Sequence, residues 1–174
     1  VAERLLDKLR INEFEIAVVG LEKAGKSSFS NAFIELQALP TDEQRCTYTS
    51  TCIRYSEAGK AIVFFYGRQE FTTDFREKLE VLGIPDANLY SPDNLSLEKY
   101  AQLFEDCDDT KKQLYQDSLN QDIRDTIQNW GDLKKYVGRD AMEFSEQEID
   151  SEDFKKYITS PARAIAVKDV VLYT

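Results

Sequence analysis

The chain has no histidine, one methionine, one tryptophan and three cysteines among its 174 residues. Without histidine, and with Cys46, Cys52 and Cys107 odd in number and widely scattered, no spacing suits a zinc site. Reduced thiols in a cytosolic compartment are the simplest account of them. No apolar run approaches the roughly 20 residues a membrane-spanning helix needs, and no secretory signal pattern is visible. Basic residues are the minority, 22 against 32 acidic ones, which leaves a net charge of −10. Most of the excess acid follows Phe104, in Glu105-Asp106-Cys107-Asp108-Asp109 and from Glu146 to Asp153. A chain of this sign is a poor general binder of nucleic acid or anionic lipid, and such runs read as solvated helix faces and loops. What is present suffices for one domain with its own core: 42% hydrophobic residues against 31% charged. The chain opens on Val1 rather than methionine, so an upstream segment of the natural protein is expected.

The most informative segment runs from Gly20 to Ser27, G-L-E-K-A-G-K-S. It fits the phosphate-loop pattern G-x-x-x-x-G-K-[ST] at every fixed position. Glu15 to Val19 reads as a short apolar strand before it. Ser28 to Leu36 reads as a helix after it, with Phe29, Ala32, Phe33 and Leu36 spaced for one apolar face. Strand, glycine-bounded turn and helix N-terminus together bring backbone N–H groups and the helix dipole to bear on an anion. Gly20 and Gly25 leave room for the backbone to wrap phosphates. Lys26 is placed to reach the β- and γ-phosphates, and the Ser27 hydroxyl to ligate Mg²⁺. The motif does not choose between ATP and GTP, because the base is read elsewhere.

Val1 to Leu9 carries Ala2, Leu5, Leu6 and Leu9 on one helical face. After the loop helix come Leu39-Pro40-Thr41 and two strand-like runs, Thr47 to Tyr55 and Ala61 to Tyr66. Ser56 to Lys60 between them reads as a hairpin loop, with Gly59 at the position of positive φ. From Gly67 to about Ser160 the pattern is helical. Thr72 or Thr73 is expected to cap a helix bearing Phe75, Leu79 and Leu82, stopped by Gly83 and Pro85. Ser96 is expected to cap Leu97, Tyr100, Ala101 and Phe104. Tyr115, Leu119, Ile123, Ile127 and Trp130 mark a third helix, and Ser151 a fourth with Phe154, Tyr157 and Ile158, which ends before Pro161. Ala164 to Thr174 returns to strand character, expected as an open edge.

The order of these pieces resembles the dynamin-like large GTPases, especially the bacterial and otherwise divergent members. The matching residues are Val18-Val19-Gly20, Ala24-Gly25-Lys26-Ser27-Ser28, Asn31-Ala32, Leu39-Pro40-Thr41, Cys46-Thr47-Tyr48-Thr49-Ser50-Thr51, Ile53-Arg54-Tyr55 and Ala166-Val167-Lys168-Asp169-Val170. The resemblance implies an α/β P-loop NTPase sheet of the GTPase-domain type with a helical insertion, truncated at its C-terminus. In these terms residues 1–174 are the N-terminal portion of the GTPase domain. Residues 14–66 hold the phosphate loop, switch I and hairpin, residues 67–160 the helical insertion, and residues 164–174 the returning strand. No D-x-P-G motif follows that strand and no [NT]-K-x-D motif is present, so the fragment alone is expected to be inactive.

The same resemblance implies GTP as substrate, GTP or GDP as bound nucleotide, and Mg²⁺ as cofactor. Gly20, Glu22, Lys23, Ala24, Gly25, Lys26, Ser27 and Ser28 are the nucleotide-binding residues it points to, with Ser27 and Thr47 on the metal. Thr47 matches the switch I threonine that also positions water. Thr49 and Thr51 are the weaker alternatives, since alternating threonines are ordinary in a strand. Lys23 stands where guanylate-binding proteins and atlastins carry an arginine finger, although a lysine is a point charge and not a planar fork. A solvated loop lysine paired with Glu22 is the other reading of Lys23. The implied partners are a second copy through the GTPase domain and, for the full-length protein, a membrane, with no nucleic acid. The implied location is cytoplasmic, peripheral to that membrane. Two other functions fit the loop: a P-loop ATPase of another lineage, and a non-hydrolysing, nucleotide-switched interaction module.

Overall fold

The computed structural model describes residues 16–19, 24–34, 39, 50–54, 56, 58–110, 112 and 118–173. Among the described residues four strands form one mixed sheet: β1 (Ser50–Arg54), β2 (Lys60–Phe65), β3 (Met142–Ser145) and β4 (Val167–Tyr173). Their order is β1-β4-β2-β3. β4 pairs parallel with β1, Thr51 opposite Val170, and antiparallel with β2, Val63 also opposite Val170. β4 is therefore central and not an open edge. Its apolar content explains the placement: Val167, Val170 and Leu172 are buried, whereas β1 is the mixed polar sequence Ser-Thr-Cys-Ile-Arg that suits a border.

The expected hairpin between β1 and β2 does not form, because β4 lies between them. Gly59 is not at positive φ. Its role is close approach: a Cβ there would stand 2.8 Å from the Glu146 side chain. Ile16–Val19, expected as a strand, is exposed and outside the sheet, and both sides of β4 are already taken by β1 and β2.

Seven helices are described: α1 (Lys26–Ile34), α2 (Arg68–Leu82), α3 (Leu97–Glu105), α4 (Leu119–Leu133), α5 (Glu146–Ile149), α6 (Glu152–Thr159) and α7 (Pro161–Ala164). Local chemistry sets several of their ends. The Ser96 and Ser151 hydroxyls accept the N–H groups of Lys99 and Phe154. Ser145 and Glu148 form a capping box on α5. Gly83 ends α2 in the left-handed conformation, φ 82°, with Ile84 N–H reaching back to the Leu79 carbonyl at 3.0 Å. α2 starts at Arg68, ahead of the expected threonine caps, and Thr72 instead donates its hydroxyl to the Arg68 carbonyl. Pro161 opens α7 where only a stop was expected, as its fixed φ allows at a first helical position. β3 interrupts the helical span because Phe144 alternates inward toward β2.

Two hydrophobic clusters result. The larger lies on one face of the sheet, where Val63, Phe65, Val170 and Leu172 meet Phe71, Leu133, Phe144, Phe154, Tyr157 and Ile158. Phe144 and Phe154 pack edge to face at 5.2 Å. The smaller joins Phe75, Leu79 and Leu82 of α2 to Tyr100 and Phe104 of α3 and Ile123 of α4. Each fully buried large side chain contributes about 1.5–3 kcal/mol. The opposite sheet face, with Cys52, Arg54, Phe64 and Lys168, is exposed.

Candidate functional site

α1 begins at Lys26, directly after Gly25. Gly25 has φ 81°, the left-handed region that a residue with a β-carbon enters at a cost of roughly 1–2 kcal/mol. Among the described residues, chain neighbours aside, no atom lies within 4 Å of the place a Cβ would occupy. Against those residues glycine is required there by backbone conformation and not by crowding. Phe29 N–H closes the first helical bond on the Gly25 carbonyl at 2.9 Å. The N–H groups of Lys26, Ser27 and Ser28 thus precede any helical carbonyl they could meet. They lie at the positive end of the helix dipole, where an anion is favoured.

Of the residues singled out from the sequence, Ala24, Gly25, Lys26, Ser27 and Ser28 come together in this turn. Lys26 and Ser27 are half-buried, and Ala24, Gly25 and Ser28 are exposed. Gly20, Glu22, Lys23, Thr47 and Thr49 lie outside the described residues. Thr51 stands in β1, and its hydroxyl oxygen is buried without a hydrogen-bond partner. The open left-handed turn fits a phosphate group, and the Ser27 hydroxyl is the hard oxygen donor that Mg²⁺ accepts.

α1 differs from expectation in which face it buries. Phe29 and Phe33 stack on each other at 6.1 Å but are 54% and 63% exposed. The buried residue is Asn31, whose side-chain amide makes two hydrogen bonds to the main chain of Leu39. Leu39 in turn belongs to the larger core cluster, with Ile34 packed beside it. Asn31 therefore anchors the loop helix, a role that apolar periodicity passes over. The available signal was a single amide within the helix, eight residues before an isolated Leu-Pro.

The Dynamin family pattern matches residues 16–172 of this chain, from the segment before the Gly20–Ser27 motif into β4. No curated protein matches the sequence. The match spans most of the chain and includes the turn at Gly25, the described strands as far as Leu172 and the helices between them. The chain belongs to the dynamin family and carries its P-loop GTPase domain fold.

Proposed function

We propose that the loop Gly20–Ser28 binds GTP together with Mg²⁺ for hydrolysis, and that nucleotide-driven pairing of GTPase domains is linked to membrane remodelling by the full-length protein. The observation that carries this reading is the open turn at Gly25, φ 81°, at the start of α1. Backbone N–H groups of Ala24 to Ser28 surround the phosphates, and Lys26 places its ammonium on the β- and γ-phosphate oxygens. Ser27 and Thr47 would hold the metal. Mg²⁺, when bound, would supply neutralisation of phosphate charge. Thr47 orients the attacking water in line with the γ-phosphate. Lys23 offsets charge that develops toward the leaving group, as an arginine finger does.

In this reading residues 14–66 form the nucleotide half of the unit. Residues 67–160 form an insertion held on it, and residues 164–174 the strand that returns to the sheet. Family membership supports the GTPase of dynamin type. Pairing, membrane action and a cytoplasmic location peripheral to that membrane follow by extension from it.

Calorimetric titration of the full-length protein and its Lys26→Ala variant with GTP, GDP and ATP tests the site. Guanine-nucleotide binding is expected in the parent and lost in the variant, with far-UV circular dichroism unchanged. Equal affinities in both proteins would overturn the assignment.

A further inference from the structure

We draw no further inference here: the strongest candidate, the uncovered sheet face where Cys52, Arg54, Phe64, Lys168, Val171 and Tyr173 line a shallow cavity, carries nothing because nothing in the structure shows what covers it.

Discussion

Asn31 and Leu39 hold each other through both ends of one amide: Nδ2 of Asn31 donates to the Leu39 carbonyl at 2.6 Å, and the Leu39 N–H donates to Oδ1 at 2.9 Å. Both residues are buried. The helix that starts after Gly25 is thereby tied to the core by a polar clamp, while its two phenylalanines face outward. Asn31→Ala strips the partners from the buried Leu39 N–H and carbonyl. Each unmet group costs about 1–3 kcal/mol, so a loss of about 2–6 kcal/mol is expected in urea denaturation. Asn31→Leu restores volume without the hydrogen bonds and is expected to be destabilised as well. A leucine variant as stable as the parent would mean that packing, not the clamp, holds α1.

The same residue shows where sequence reading reaches and where it stops. Signals that act within a few residues were legible. Ser96 and Ser151 cap the helices that follow them, and Gly83 takes the left-handed turn that ends α2. Each of these depends on a backbone group three to five residues away. Strand pairing depends on the whole sheet. Sequence adjacency suggested that β1 and β2 pair, but β4 offers the more apolar strand and takes the central place between them. At the site, the spacing of Gly25, Lys26 and Ser27 anticipated a glycine turn at a helix start. Phe29 and Phe33 misled the choice of buried face, because periodicity counts apolar area and cannot weigh two buried hydrogen bonds.

Ile123 and Ile158 are both fully buried but lie in different clusters, the first with Tyr100 and Phe104, the second with Phe154 and Tyr157. Removing one methylene from each is expected to cost about 0.5–1.5 kcal/mol singly. Because the two sites share no cluster, Ile123→Val and Ile158→Val are expected to add within about 0.5 kcal/mol in the double variant. Equilibrium denaturation of the four proteins measures this. A larger deviation from additivity would mean that the clusters act as one packed unit.

Glu70 at the start of α2 accepts a hydrogen bond from Lys168 of β4 at 2.6 Å. That bond holds the Glu70 carboxyl below the usual carboxylate range and raises the Lys168 ammonium. The signs are opposite. The Glu70 contribution is present above the ordinary glutamate pKa, about 4, and is lost as pH falls through the depressed folded value. The Lys168 contribution is present below the ordinary lysine pKa, about 10, and is lost as pH rises through the raised one. Both side chains are close to half exposed, so the effect is expected to be small and reduced by salt. Thermal melts from pH 2 to 7 should show a shallower acid limb in Glu70→Gln than in the parent. Identical limbs at low salt would show that the pair adds nothing to folding.

Gly25 and Gly83 share a positive φ, 81° and 82°, but sit at opposite kinds of helix end. Gly25 precedes α1 in the turn proposed to bind phosphate, and Gly83 follows α2 as its C-terminal stop. Alanine at either position meets the same left-handed penalty, roughly 1–2 kcal/mol. With nothing within 4 Å among the described residues beyond its chain neighbours, conformation and not collision is what alanine changes at Gly25. Relief of that strain would re-aim the Lys26, Ser27 and Ser28 N–H groups away from a shared anion. Gly25→Ala is therefore expected to lose GTP affinity by at least about tenfold, about 1.4 kcal/mol, whereas Gly83→Ala keeps the parent's affinity despite similar destabilisation. Calorimetry with GTP and urea denaturation on both variants separate the two effects. Parallel losses of affinity in both would show that general destabilisation, and not the turn at Gly25, governs nucleotide binding.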